Sequence, residues 1–198
     1  MPAQAQLPQP YYYTPEEYLA LEEDAEYRSE YHDGEMIAMT GGTVNHNRIV
    51  RNLSLELGLA LKKQDDYELF MGDVKVWLPH TRCFLYPDIM VIAGQPAYYE
   101  NRKDAIINPL VVVEVLSKST QNYDKGDKFD YYRKLPSFQE YILINQYEFL
   151  VEQYTKISEY EWRIAYTNDV EASIELVTFP LKIALKDIYN KVDFVEED

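Results

Sequence analysis

Two carboxylates stand where charge is costly. Asp88 follows Tyr86-Pro87 at the head of the apolar run Ile89-Met90-Val91-Ile92, and Glu114 sits directly behind Leu110-Val111-Val112-Val113. A carboxylate inside a buried strand costs several kcal/mol unless it is paired, hydrogen-bonded or bound to a metal. If the two strands are neighbours, both carboxylates can face one divalent cation. Hard oxygen ligands with no thiolate or imidazole favour magnesium or manganese. The plainer alternative stays open: each carboxylate caps a turn or pairs with a Lys or Arg at the end of the sheet.

The elements that must position these acids can be read from periodicity and turn chemistry. Thr14-Pro15-Glu16-Glu17 combines an N-cap threonine, proline at the first helical position and a glutamate three residues after the cap, which predicts a helix to about residue 24. Asp33-Gly34 joins strands over 27–31 and 35–39, because both turn residues tolerate positive φ. Ile49, Leu53, Leu57, Ala60 and Leu61 recur at helical spacing, so the longest helix is expected over 45–63. Strands are expected at 67–71, 73–77 and 86–92, then a loop over 94–109 with room for one helical turn. The uninterrupted apolar run over 110–116 predicts a central strand covered on both faces. A helix over 123–135 should stop before Pro136, followed by strands at 140–145, 148–155, 160–166 and 174–177, with 181–189 undecided. This order predicts an α/β or α+β domain around a mixed sheet.

Composition bounds the function. The 198 residues include 34 acids and 19 Lys or Arg, a net charge of −15, which argues against a generally basic, DNA-coating protein. Residues 1–13, with three prolines among Gln and Ala, read as a flexible leader, and 14–198 as a single domain. One cysteine, Cys83, forms no internal disulfide, and no signal segment or membrane span is visible, so a cytoplasmic protein is expected. The acid excess is uneven. Residues 14–35 hold nine acids against Arg28, whereas the long helix carries Arg48, Arg51, Lys62 and Lys63 against Glu56. A phosphate substrate is therefore allowed, with weak non-specific binding that falls with salt.

Pro87-Asp88, Glu114-Val115-Leu116-Ser117 after a gap of 26 residues, Ser119-Thr120, and then Asp124, Lys128 and Tyr131 or Tyr132 form an ordered set. With Asp33-Gly34-Glu35 and His46, it resembles the Uma-two family, a branch of the restriction-endonuclease-like PD-(D/E)XK superfamily, over about residues 14–190. The resemblance implies a mixed central sheet flanked by helices, with Asp88, Glu114 and the Val115 carbonyl holding Mg²⁺ or Mn²⁺. The implied reaction is hydrolysis of DNA phosphodiester bonds, in an enzyme that works as a homodimer. One departure matters: the superfamily lysine two residues after the second acid is here Leu116. The resemblance gives that role to Lys128, with Lys118 and Lys125 as substitutes. Asp124 and Lys128 are otherwise a surface pair worth a few tenths of a kcal/mol.

Three further residues are auxiliary candidates. Glu56 borders the buried stripe of the long helix, His46 near its start could contact phosphate or move a proton, and Asp73 heads Val74-Lys75-Val76. Each has an ordinary structural explanation as well: an exposed helix former, a capping histidine, a turn residue after Gly72. The competing functional class is a nuclease fold without catalysis, binding a nucleic acid or a protein because the usual lysine is gone. The 19 tyrosines read mainly as core or dimer surface.

Overall fold

In the computed structural model, which describes residues 12–194, helix α1 (Pro15–Glu23) opens on the expected reciprocal cap. The Glu17 amide donates to the Thr14 hydroxyl, and the Thr14 amide donates to the Glu17 carboxylate. The leader expected over 1–13 lies, up to residue 11, outside the described residues. Strands β1 (Ser29–His32) and β2 (Glu35–Ala38) form the hairpin, with Asp33 at φ 42° and Gly34 at φ 110° in its turn. Helix α2 (Val44–Leu61) is the longest, and its N-cap Thr43 accepts from the His46 amide.

Six strands follow: β3 (Tyr67–Met71), β4 (Lys75–Leu78), β5 (Cys83–Leu85), β6 (Ile89–Ala93), the two-residue β7 (Ala105–Ile106) and β8 (Pro109–Leu116). The helical stretch after β8 has three parts: a turn α3 (Gln121–Tyr123), a π-helical segment (Asp124–Lys128) and α4 (Phe129–Tyr132). The chain ends with β9 (Glu140–Asn145), β10 (Val151–Lys156), β11 (Trp162–Thr167), β12 (Ser173–Leu176), β13 (Leu181–Ala184) and the turn α5 (Leu185–Ile188).

The central sheet is mixed, as the sequence predicts, with order β11-β10-β9-β8-β6-β3 and one parallel pair, β8 with β9. Strand β8 lies inside it, nearly fully buried. A second sheet, β2-β1-β5-β4-β7, was not foreseen. Its key strand β5 is three residues long, too short for a periodic signal, and its loop strand β7 is shorter still. The strand expected over 86–92 begins at Ile89, because Pro87 has no N–H to enter a ladder.

Side chains alternate across the central sheet. Ile89, Val91, Val111, Val113, Val115, Ile142 and Ile144 pack against Ile49, Leu53, Leu57 and Leu61 of α2 and against the C-terminal segment. The opposite face, with Met90, Ile92, Val112, Leu116, Tyr141 and Leu143, packs on the second sheet and on Tyr132 of α4. Tyr18, Tyr31, Trp77 and Phe84 make a third cluster beneath α1. Glu114, on the same side of β8 as Val112 and Leu116, points into the second of these cores, facing the helix that follows its own strand. No helix among the described residues is long and apolar enough to cross a membrane.

Candidate active site

The C-terminal end of β8 is where the acids meet. Continuing the β6–β8 register, in which Ile89 pairs with Val113, brings Pro87 opposite Val115. Proline offers no N–H, so the β6–β8 ladder stops and Val115 loses its partner on β6, while it stays paired with Ile144 of β9. Asp88 takes over: its Oδ2 accepts the Val115 N–H at 2.7 Å and lies 3.1 Å from Nε2 of His46. The same break deprives the Val115 carbonyl of a ladder donor, since the N–H and C=O of one strand residue point the same way.

Helix α2 delivers His46 through a fixed N-terminus. Thr43 donates to Oε1 of buried Gln146, and Gln146 donates from Nε2 to the Leu116 carbonyl at 2.7 Å. The helix start is thereby tied to the end of β8. Burial alone would lower the pKa of His46, but the hydrogen bond and charge of Asp88 outweigh it and raise it.

Lys128 sits at the centre of the cluster, 5 % exposed. Its Nζ lies 2.9 Å from Glu114 Oε1 and 3.6 Å from both Glu30 Oε1 and Asp124 Oδ1. The π-helical segment supplies both Asp124 and Lys128 and buries both, so the surface-pair reading of these residues fails. Such wider turns are common at functional sites. Asp124 is anchored by the Thr120 hydroxyl at 2.7 Å, and its own carbonyl accepts from Tyr141.

The electrostatics are unbalanced. Burial pushes the Glu114 carboxyl well up, against the pull of Lys128 and with the push of Asp88 and Asp124. Burial likewise raises Asp124. Lys128 itself is held protonated: burial works against its charge, and Glu114, Glu30 and Asp124 overcome it. One ammonium therefore serves several carboxylates. Glu114 Oε1, although close to Nζ, receives no directed hydrogen bond, and the buried hydroxyls of Tyr123 and Tyr132 also have none.

These residues fit a hard cation in donor chemistry. A buried carboxylate oxygen partnered by one ammonium, a second carboxylate on the adjoining segment and a strand carbonyl without a ladder donor are all oxygen ligands. Among the described residues no three His, Cys, Asp or Glu side chains converge as a metal cage. A cation here would complete its shell with the backbone carbonyl and water.

Of the residues singled out in the sequence, the structure brings Asp88, Glu114, Val115, Lys128, Asp124 and His46 together. The others lie elsewhere. Asp73 is exposed and paired with Arg28 at 2.5 Å, on a polar groove lined by Glu22, Lys75, Tyr86, Arg102 and Asp104. Lys118 rests over the Tyr147 ring at 5.4 Å, and Lys125 pairs with Glu152 at 2.5 Å. Glu56 makes no hydrogen bond or ion pair with any described residue. It lies ten residues beyond His46, roughly 15 Å along the helix axis. Sequence reasoning missed Glu30 and Gln146. Glu30 lies in a segment crowded with acids and carries no local mark; what sets it apart is the pairing of β1 with β5, which brings it to the Tyr86 amide.

The comparisons with known proteins agree with this fold. The Uma2 family, described as "Putative restriction endonuclease", matches residues 15–186. Two uncharacterized proteins of Synechocystis sp. are similar. One, sll1609, is 40% identical over 162 residues, covering 82% of this chain and 91% of that protein. The other, slr1290, is 35% identical over 187 residues, covering 91% and 93%. A crystal structure of a "putative nuclease belonging to DUF820" from Anabaena variabilis superposes with a TM-score of 0.73 at 21% identity, covering 89% of this chain and 97% of that one. The restriction-endonuclease-like fold expected from the sequence is the fold observed.

Proposed function

This chain belongs to the Uma2 family, and we propose that it is a Mg²⁺-dependent endonuclease that hydrolyses DNA phosphodiester bonds. The observation that carries this reading is the meeting of Asp88, Glu114 and Lys128 at the end of β8, where the buried Glu114 carboxylate has the Lys128 ammonium, 2.9 Å away, as its one partner among the described residues. Asp88, Glu114 and the Val115 carbonyl would hold the cation. When bound, Mg²⁺ or Mn²⁺ lowers the pKa of a coordinated water and neutralises charge on the scissile phosphate. His46 and the Val115 N–H both engage Asp88 Oδ2, which fixes the carboxylate and leaves Oδ1 to turn toward a ligand. Lys128 takes the place of the lysine missing at buried Leu116. Its ammonium stabilises developing negative charge, a role that depends on position and not on which element supplies it.

The long helix suits a phosphate backbone. Among the described residues, Arg48 and Arg51 bond only to the side-chain oxygens of Asn45 and Asn52, and no described acid cancels either charge. We place the protein in the cytoplasm as a homodimer, for which edge strand β11, with Ile164 and Tyr166 exposed, is the candidate contact. The second reading, a nuclease fold that only binds a nucleic acid or a protein, is favoured by Leu116 and by the closeness of Lys128 to Glu114.

Metal and substrate separate the two. Plasmid and single-stranded DNA incubated at low salt with Mn²⁺ or Mg²⁺ should be cut by the wild type and not by Glu114→Ala. Millimolar metal should also raise the melting temperature, and Asp88→Ala should abolish that rise. Absence of any metal-dependent product, with the thermal response retained, would favour the binding-only reading; absence of both would remove the metal site.

A further inference from the structure

Glu30 is the carboxylate of this cluster that comes from outside the central sheet and the helix behind it. Strand β1 presents it, and the pairing of β1 with β5 carries it over the end of β8. Its Oε1 accepts the Tyr86 N–H at 3.2 Å and lies 3.6 Å from Lys128 Nζ, while its Oε2 lies 3.3 Å from Nε2 of His32. Glu30 therefore bridges two cationic side chains. His32 is itself enclosed: its Nδ1 faces the sulfur of buried Cys83 at 3.9 Å, whose thiol donates to the Thr81 carbonyl, and its ring meets the edge of Tyr123 at 5.7 Å. Both ring nitrogens face acceptors, the arrangement that a doubly protonated imidazolium satisfies.

We propose that Glu30 and His32 are positioning residues that anchor the Lys128 ammonium independently of Glu114, so that the lysine keeps its place when Glu114 turns to a cation. The catalytic consequence rests on the nuclease reading; the anchoring does not. Among the described residues Lys128 has three carboxylate neighbours. If Glu114 is taken up by a metal, Asp124 and Glu30 remain, and only Glu30 carries a second cation on its other oxygen. Burial favours neutral Glu30, but Lys128, His32 and the Tyr86 N–H reverse this and lower its pKa. For His32, burial opposes charge and the contacts with Cys83 and Glu30 prevail, pushing its pKa up to about 9. The groups facing His32 are Glu30 on its own strand, its cross-strand partner Glu35 on β2, Cys83 on β5 and Tyr123 on the following helix. The imidazolium is present below about pH 9 and is lost above it.

Two measurements test the anchor, one of them without any activity. In imidazole ¹H–¹⁵N spectra, wild-type His32 should titrate near pH 9. In Glu30→Gln its midpoint should fall toward the ordinary value of about 6.5. Replacement of Lys128 by Met should move it as well, because Glu30 couples the two cations. In cleavage assays His32→Asn should lower kcat by about 10–100-fold while leaving KM and the metal-induced thermal shift in place. It should also erase the alkaline limb of the kcat profile, and Glu30→Asp should recover activity relative to Glu30→Gln. A wild-type His32 that titrates near neutrality, or one unmoved in Glu30→Gln, overturns the anchor. So does a His32→Asn enzyme with an unchanged kcat profile. If the wild type cleaves nothing, the nuclease reading falls while the spectra still decide the anchor. If Glu30→Gln does not fold, the Lys128→Met spectrum and His32→Asn kinetics carry the same decision.

Discussion

Glu114 and Glu140 are both buried carboxylates, on the neighbouring parallel strands β8 and β9, and they face opposite sides of one sheet. Their surroundings could hardly differ more. Glu140 is fully enclosed, and its two oxygens accept from Gln153 Nε2, from the Val177 and Thr178 amides and from the Thr178 hydroxyl. All of these donors are neutral and fixed by the fold. Among the described residues Glu114 has only the Lys128 ammonium, and burial raises its pKa well up. A buried carboxylate can thus be made structural by saturating it with backbone and side-chain donors. Left half-satisfied beside other acids, it keeps its appetite for a cation. Glu140 pins the segment after β12 to the central sheet; Glu114 marks the site.

The largest expected effect comes from removing the shared cation on the Glu114 side. Lys128→Met should destabilise the protein by about 3–5 kcal/mol near neutral pH, because it strands several buried carboxylates without their counter-charge. Urea unfolding should show the loss shrinking toward pH 4, where those carboxylates take up protons. A loss that is the same at both pH values would mean that Lys128 contributes through packing and not charge. Next in size is Glu140→Ala, expected to cost about 3 kcal/mol through orphaned buried donors. It should leave the metal-induced thermal shift intact. Equal damage to that shift by Glu140→Ala and by Glu114→Gln would dissolve the contrast between the two glutamates.

The sequence makes half of this contrast legible. Asp88 and Glu114 stand out because each interrupts or abuts a long apolar run, and burial of such runs is nearly unavoidable. Lys128 and Asp124 follow from the resemblance, with helical spacing alone leaving them as an ordinary pair. Glu30 does not stand out. It sits among nine acids, and its burial depends on β1 pairing with β5, a contact between residues about fifty positions apart. The second sheet is hidden for the same reason: Cys83–Leu85 is too short to declare itself, and its partners are distant in sequence. Glu140 was read only as the start of a strand, since nothing local reveals that Val177 and Thr178 return to meet it.

A third test uses pH to read the sign of the Glu114 contribution. The folded pKa of Glu114 is raised, so in the carboxylate range the native state holds a proton that the unfolded chain has released. Its contribution to stability is present at low pH and declines as pH rises above the unfolded value, by at most about 1.4 kcal/mol per pH unit for this one group. Glu114→Gln cannot ionise. Compared with the wild type, it should gain in relative stability as pH is raised from about 4.5. A wild type that instead gains on the variant over that range would mean that Glu114 is stabilised as an anion.

The smallest effect is expected at Glu56, and it is useful because sequence reasoning offered that residue to the same site. Glu56 shares α2 with His46, but ten residues of helix separate them, and its carboxylate has no hydrogen bond or ion pair with any described residue. Glu56→Ala should therefore change unfolding free energy by no more than about 0.5 kcal/mol, helped slightly by the better helix propensity of alanine. Cleavage and the thermal response to metal should stay at wild-type levels. A loss of activity in Glu56→Ala comparable to that of Glu114→Gln would require α2 to bring a second acid to the end of β8, which its fixed start at Thr43, Gln146 and His46 does not allow without sliding the whole helix. The comparison of Glu114 with Glu140 would then have to become one between a site assembled by two helices and one assembled by strands and the turn after β12.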